Sequence, residues 1–132
     1  MERFLFDTHI LIRCRAEPKK LSRDQLRVIE RAAERNEPVA VSAVTLLEIA
    51  ILLSADRLPN LGLEDLFGEF DTRPSIRVLP ITLEIASEVT SLIRALRDPA
   101  DCTIVATARV HGLRLLTSDQ RIIQSKLVPV IE

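Results

Sequence analysis

The chain has 132 residues, 47% of them hydrophobic, which predicts one folded domain with a substantial core and argues against disorder. Aromatic residues make up 3%, with no Trp or Tyr, so the aromatic base-stacking surfaces of many single-strand binders are largely excluded. The formal net charge of −1 means that binding to a polyanion requires a local basic patch.

We expect neither a signal peptide nor a membrane-spanning segment. The longest apolar stretch, VSAVTLLEIAILLSA, is too short to cross a bilayer and contains Glu48. The first residues, MERFLFD, lack the long apolar region of a signal peptide. Two cysteines, Cys14 and Cys102, suggest neither a disulfide framework nor a zinc site. These observations predict a cytoplasmic protein without a membrane partner.

The first half of the chain predicts two strands and two helices. RFLFD is a short apolar strand that ends at Asp7, and a basic segment follows it. Ser22 is a good N-cap for a first helix, and Ser42 caps a second helix after a strand at 39–41. The second helix extends to about Ser54 and is apolar on nearly every side, as expected of a buried element. In the first helix, the apolar residues at helical spacing are Leu26, Ile29 and Ala33.

The second half continues the alternation of strands and helices. LEDLFGEF is a weak short helix, and IRVLPI is a third strand. Thr82 caps the helix TLEIASEVTSLIRALR, and another helix begins at Pro99 and ends near Val110, with Gly112 as its C-cap. The strand LRLLT, a turn at 118–119, a brief helical segment and the strand LVPVI complete the chain.

This alternation predicts an α/β fold for a single domain that spans residues 1–132. Each predicted strand is short and apolar, which favours a central parallel sheet of about five strands with helices on both faces, in three α/β/α layers. Ligands of such sheets bind beyond the carboxyl ends of the strands. Chemically reactive residues are therefore expected at these ends.

Four acids fall near this edge. Asp7 ends the first strand, and Asp119 follows the fourth. Asp101 is in the first turn of the helix before the fourth strand, and right-handed crossovers place helix starts at the edge where the strands end. Glu48 lies about six residues into its helix, on the order of 9 Å from the helix start. All four side chains can therefore converge on one edge.

Each acid also has an explanation without function. Asp98 is a natural N-cap before Pro99, an acid at Asp101 complements the helix dipole, and Asp119 suits a turn. Glu48 is harder to explain, because an unpaired carboxylate among aliphatic side chains costs several kcal/mol. Its remaining structural explanation is an exposed stripe on that helix.

Considered together, the acids predict a cation. Two carboxylates about 4 Å apart repel each other by roughly 4 kcal/mol at an effective dielectric constant near 20. Hard oxygen ligands suit Mg²⁺ or Mn²⁺, which retain waters and bind phosphate oxygens. Metals at such sites activate water and stabilise the leaving oxygen of a phosphodiester. The residues themselves therefore predict a metal-dependent phosphodiesterase.

Three segments that carry these acids resemble the PIN-domain family, and within it the VapC-type toxins of toxin–antitoxin pairs. FLFDTHILI is similar to the opening strand of the family with its first acid. VSAVTLLEIAILLSADRL is similar to the helix with the second acid, and DPADCTIVATARVHGLRLLTSD to the segment with the third and fourth. The similarity extends from residue 3 to about residue 123.

The resemblance implies an Mg²⁺- or Mn²⁺-dependent endoribonuclease that is inhibited by a VapB-type antitoxin, and we expect a homodimer. It implies that Asp7, Glu48, Asp101 and Asp119 are catalytic, with Asp7, Asp101 and Asp119 as metal ligands. Supporting groups near the acids or the substrate would be Thr8, Asp98, Thr117 and Ser118. The chain departs from the common pattern at Cys102, where many relatives have Arg, and at Leu96 or Arg97, where they have His.

Two alternatives remain. One is a non-catalytic PIN-like module that binds RNA or a protein, against which the four intact acids argue. The other is a receiver-like phosphoacceptor domain, which expects paired acids after the first strand and a Lys after the last. DTHI and LVPVI contain neither feature, so we consider the receiver-like alternative the weaker one.

Three further features have open roles. Seven basic residues after the first strand either bind RNA phosphates or form a solvated helix face. They are Arg13, Arg15, Lys19, Lys20, Arg23, Arg27 and Arg31. His9 is more simply a hydrogen-bonded histidine and Cys102 a packing residue than reactive groups. The segment from Leu53 to Phe70 forms either a groove for an antitoxin helix or a second copy, or part of the core.

Overall fold

A computed structural model describes residues 2–58, 60–67 and 74–132. Within these residues, five strands form one sheet in the order β3-β2-β1-β4-β5, and every neighbouring pair is parallel. The first strand of the chain, β1, therefore lies at the centre of the sheet, between β2 and β4. The strands are β1 Phe4–Phe6, β2 Val39–Ser42, β3 Ile76–Leu79, β4 Arg114–Leu116 and β5 Val130–Ile131.

The helices begin and end largely where the local sequence predicts. Ser22 and Gln25 form a reciprocal capping box, and Thr82 accepts a hydrogen bond from the N–H of Ile85. Gly112 ends its helix in the left-handed region, at φ 65°, where glycine has no steric penalty. The helices are α1 Thr8–Ala16, α2 Arg23–Glu34, α3 Ala43–Ser54, α4 Leu63–Phe67, α5 Leu83–Leu96, α6 Pro99–His111 and α7 Gln120–Ser125, with a short 3-10 turn at Pro18–Lys20.

Two apolar clusters cover the two faces of the sheet. Leu5 of β1 and Leu115 of β4 pack into the cluster of α5, α6 and α7, while Phe6 and Leu116 pack into the cluster of α1, α2, α3 and α4. Successive strand residues point to opposite faces, so adjacent residues of β1 supply both clusters. This arrangement confirms the predicted three-layer α/β/α fold with a parallel sheet.

The basic segment after β1 is a helix that the sequence analysis did not assign. Residues 8–16 form α1, which begins directly after the strand with Asp7 as its N-cap. The buried face of α2 also differs from the apolar spacing, because Gln25, Ile29 and Ala32 are buried while Leu26 is 36% exposed. Gln25 tolerates burial because its Nε2 donates to the backbone carbonyls of Thr117 and Ile131.

The expectation that α3 is buried on nearly every side is wrong. Thr45 and Ile49 are the buried residues of this fully described helix, whereas Leu47 and Ile51 are 60% and 58% exposed. The composition of a helix shows that its residues are apolar, but the fold decides which of its faces are covered by other elements. The described part of this chain therefore leaves an apolar face of α3 in contact with solvent.

The weak helix after α3 is confirmed as α4, and residues 68–70 of that predicted segment lie outside the described residues. The possible groove from Leu53 to Phe70 is therefore described in part. An open groove of about 350 Å³ lies between α1 and the loop after α3, and its lining includes Ile12, Leu58 and Leu61. Among the described residues, none of the helices has the length and apolar character needed to cross a bilayer.

Candidate active site at the carboxyl edge of the sheet

Asp7 is a buried carboxylate with fixed hydrogen-bond partners. It follows β1 directly, its N–H donates to the carbonyl of Leu116, and it is 4% exposed. Its Oδ1 accepts from the N–H of Thr8 at 2.8 Å, and its Oδ2 accepts from Oγ1 of Thr117 at 2.7 Å. A strand end, a helix start and a neighbouring strand end therefore hold this carboxylate in one orientation.

Glu48 lies beside Asp7 and is bonded through Thr8. The hydroxyl of Thr8 donates to Glu48 Oε1 at 2.6 Å and lies 2.9 Å from the hydroxyl of Thr45. Burial raises the pKa of Glu48, and the charges of Asp7 and Asp98 raise it further, although the Thr8 hydrogen bond opposes them. Glu48 therefore lies with Asp7 at the carboxyl edge of the sheet, which we call the acidic edge, and is not part of an exposed stripe.

Asp98 and Asp101 begin helix α6. Asp98 is the N-cap, with Oδ1 accepting from the N–H of Asp101 at 3.0 Å, and Pro99 is the first helical residue. Burial raises the pKa of Asp101 to about 7, with further contributions from the charges of Asp98, Asp7 and Asp119. The raised pKa of Asp101 therefore reflects first the partial burial of this carboxyl group and then the negative charges around it.

Asp119 is the N-cap of helix α7, and both Asp119 and Asp101 pair with the guanidinium of Arg121. Its Oδ1 accepts from the N–H of Arg121 at 2.9 Å, and Nη2 of Arg121 lies 3.2 Å from Oδ2 of Asp119 and 3.2 Å from Oδ2 of Asp101. Burial raises the pKa of Asp119, but the hydrogen bonds and charge of Arg121 outweigh it, so the net shift is downward. We call this arrangement the Arg121 bridge.

Polar groups from α1 and β4 complete the edge. Ser118 donates its N–H to Nε2 of His9 at 3.0 Å, and its hydroxyl accepts from Nη1 of Arg13 at 3.1 Å. Because Nε2 accepts, the proton of the neutral ring is on Nδ1, which lies 3.5 Å from Asp7 Oδ2. Burial lowers the pKa of His9 and Arg13 lowers it further, while Asp7 and Asp119 oppose the shift. His9 is thus a hydrogen-bonded histidine, as expected.

Arg15, Lys20 and Cys102 have contacts that explain them without a role at the site. Arg15 donates to the carbonyls of Leu66 and Pro74, and Lys20 pairs with Glu17. Of this segment, Arg13 has a hydrogen bond to the acidic edge. Cys102 is fully buried, and burial raises the pKa of its thiol, which agrees with a packing role.

All eight site residues predicted from the sequence lie on or directly beside the acidic edge. They are Asp7, Thr8, Glu48, Asp98, Asp101, Thr117, Ser118 and Asp119. Thr45, Gln25 and Arg121 were not predicted from the sequence, because their contacts depend on side-chain directions in the folded chain. The position of Arg121 two residues after an N-cap was the one available signal. In the described part of the chain, no three His, Cys, Asp or Glu side chains are arranged as a complete set of metal ligands.

The fold and this edge define a parallel α/β protein with carboxylates gathered at the strand ends. The PIN domain family model matches residues 4–126. Ribonuclease VapC22 of Mycobacterium tuberculosis is 34% identical over 123 residues, which are 92% of this chain and 91% of that protein. The chain therefore belongs to the PIN-domain family and, within it, to the VapC-type members, as the motifs predicted.

Solved structures have the same fold. VapBC2 from Rickettsia felis, bound to a DNA fragment from its promoter, matches with a TM-score of 0.74 and 13% identity, covering 97% of this chain and 96% of that chain. A toxin–antitoxin complex from Klebsiella pneumoniae matches with a TM-score of 0.59 and 24% identity, covering 97% and 95%. At these identities the likeness concerns the fold.

Proposed function

We propose that this chain is a divalent-metal-dependent endoribonuclease toxin that hydrolyses RNA phosphodiester bonds and is inhibited by a cognate VapB-type antitoxin. The observation that carries the proposal is the gathering of acids at one edge, where Oδ2 of Asp101 and Oδ2 of Asp119 lie 3.2 Å from the same guanidinium nitrogen. The charge of Asp7 contributes to the raised pKa of Asp101. The similarity to a ribonuclease over nearly the whole chain supports RNA as the substrate. The toxin–antitoxin complexes with this fold support an antitoxin partner, and we retain the expected homodimer as part of the proposal.

The donor chemistry of the acidic edge fits Mg²⁺ or Mn²⁺. Oδ2 of Asp101 and Oδ2 of Asp119 already lie within hydrogen-bond distance of one cationic nitrogen. Mg²⁺ is commonly held by one or two carboxylates together with waters and substrate phosphates, so a cage of three protein side chains is not required. Asp101 and Asp119 would hold the ion, with Asp7 completing the predicted ligand set.

The bound metal would supply an activated water and charge stabilisation for the leaving oxygen. The chain itself positions Asp7 through Thr117 and the N–H of Thr8, so that this carboxylate does not rotate. Glu48 is the candidate proton acceptor, because its raised pKa brings its protonation equilibrium closer to neutral pH. Arg13, hydrogen-bonded to Ser118, would attract the phosphate backbone.

The test is RNA cleavage by matched variants. With Mg²⁺ or Mn²⁺, we expect Asp101→Asn and Asp7→Asn to lower the cleavage rate on the order of a hundredfold or more, with circular dichroism showing a folded protein. Asp56→Asn is the matched control, because Asp56 is exposed and its φ of 55° is one that Asn tolerates. Cleavage that persists in EDTA, or unchanged cleavage by Asp101→Asn, would contradict the proposal.

A non-catalytic PIN-like module that binds RNA or a protein is the second candidate. Wild-type protein that binds RNA but neither binds Mn²⁺ nor cleaves would support this alternative. Sequencing the ends of RNA fragments after brief induction in cells would identify the target of an active enzyme.

A further inference from the structure

Arg121 lies between two acids that we assign to the metal. It is the second residue of α7, and its N–H is fixed by the side chain of Asp119. One nitrogen of its guanidinium, Nη2, is within 3.2 Å of an oxygen of Asp101 and within 3.2 Å of an oxygen of Asp119. The side chain therefore joins the start of α7 to the start of α6 across the acidic edge.

A guanidinium and a divalent cation need the same carboxylate oxygens. Mg²⁺ binds oxygen at about 2.0–2.1 Å and demands near-octahedral geometry, so a metal that takes both Oδ2 atoms leaves no place for Nη2 between them. Keeping both cations there would also place like charges in contact. The Arg121 bridge and a metal shared by these two acids therefore exclude each other.

Breaking the Arg121 bridge requires little free energy. The side chain of Arg121 is 70% exposed, whereas those of Asp101 and Asp119 are 15% and 20% exposed. Water screens an exposed ion pair, so its contribution to stability is small, and the arginine can move into solvent without disturbing the core. The backbone N–H of Asp101 donates to Asp98, and the carboxylate of Asp119 accepts from the backbone N–H of Arg121, so both helix starts stay in place when the arginine side chain leaves.

We propose that Arg121 is an internal counter-ion that occupies the acidic edge in the metal-free protein and is displaced when the divalent cation binds. This inference rests on the proposed metal site. Arg121 reduces the repulsion between the acids before the metal arrives, and by the same contacts it weakens the apparent affinity for the metal.

The first test measures Mn²⁺ affinity by isothermal titration calorimetry at pH 7.5 and low salt. We expect Arg121→Gln to bind Mn²⁺ about fivefold more tightly than the wild type, since metal binding no longer breaks the ion pairs. Arg77→Gln is the matched control, because Arg77 is 61% exposed and pairs with Glu2 at 2.6 Å, outside the acidic edge. Its Mn²⁺ affinity should equal that of the wild type.

The second test follows the displacement directly. Titration of ¹⁵N-labelled wild-type protein with Mg²⁺ should shift the side-chain Nε–Hε signal of Arg121 and leave that of Arg77 in place. Equal Mn²⁺ affinities in wild type and Arg121→Gln, or an unmoved Arg121 signal in a protein that binds Mg²⁺, would overturn this inference alone. A wild type that binds neither ion would overturn the proposed metal site and the inference with it.

Discussion

The two ends of the acidic edge hold their carboxylates by different means. Asp7 is buried and is fixed by uncharged donors, a hydroxyl and a backbone N–H. Asp101 and Asp119 lie nearer to solvent and are joined by the charged side chain of Arg121. The first arrangement is permanent, because removing a partner leaves a buried charge short of a hydrogen bond. The second is open to exchange under the proposed displacement of Arg121, because the arginine side chain is 70% exposed.

This difference assigns separate tasks to similar residues. In the proposed metal site Asp7 needs a fixed orientation, and its hydrogen bonds with the Thr117 hydroxyl and the N–H of Thr8 provide one. Carboxylates that accept and release an ion must be reachable and must tolerate their mutual repulsion while the ion is absent. The Arg121 bridge reduces that repulsion, while burial raises the pKa of Asp101 and the charges of Asp98, Asp7 and Asp119 raise it further.

The largest effect on stability should come from the buried end. Thr117→Val removes the hydroxyl that donates to Asp7 and accepts from the N–H of Asp119, so we expect a loss of about 2 kcal/mol in the free energy of unfolding. Urea denaturation measures this loss. Thr107→Val is the matched control, because its buried hydroxyl donates to the carbonyl of Thr103 and serves no charge. Equal losses in the two variants would show that the Asp7 contact is not special.

A smaller effect should appear in the pH dependence of the metal-free protein. The pKa of Asp101 is about 7 in the folded state and 3.8 as its reference value, so the folded protein retains a proton that the unfolded chain releases between these values. Stability from this group is fully present below pH 3.8 and is lost as the pH rises through 7. After allowance for solvent screening, we expect a decrease of about 1 kcal/mol between pH 5 and pH 8.

Urea unfolding in EDTA at these two pH values measures the decrease. Asp101→Asn lacks the titrating group and should show a flatter dependence than the wild type. A wild-type stability that rises from pH 5 to pH 8 by the amount seen in Asp101→Asn would contradict the assignment of the raised pKa to this carboxyl.

The smallest effect should come from the exposed end. In EDTA and low salt, Arg121→Gln should lower the unfolding temperature slightly, because the repulsion between Asp101 and Asp119 is no longer compensated. Raising the salt concentration to about 1 M should remove the difference, since the screening length falls to about 3 Å. Differential scanning calorimetry at two salt concentrations measures it. A difference that persists in high salt would show that Arg121 stabilises the fold by packing.

Local chemistry was enough to predict most elements and their caps. Ser22, Thr82, Asp98 and Gly112 are recognisable because a cap satisfies backbone groups within a few residues of itself. The sequence does not predict α1, because its N-cap, Asp7, also ends a strand and is interpreted as a site acid. The charges in this segment are its most visible feature, although Ile10 and Leu11 are both buried.

The positions of the acids were predictable for a different reason. In a parallel sheet the strand ends and the following helix starts share one edge, so residues a hundred positions apart can be assigned to the same place from their order alone. That reasoning placed Asp7, Glu48, Asp101 and Asp119 at one edge. It did not predict which hydroxyl or cation each would contact, because those contacts depend on side-chain direction.

The sequence by itself determined the alternation of strands and helices, the caps and the edge at which the acids gather, since each depends on neighbours in the chain or on strand order. Tertiary structure alone decided that Arg121 joins Asp101 to Asp119, that Gln25 is buried, and that Leu47 and Ile51 of α3 remain exposed. These features depend on which surfaces meet after folding. Composition and periodicity describe one element at a time and contain no information about its partners.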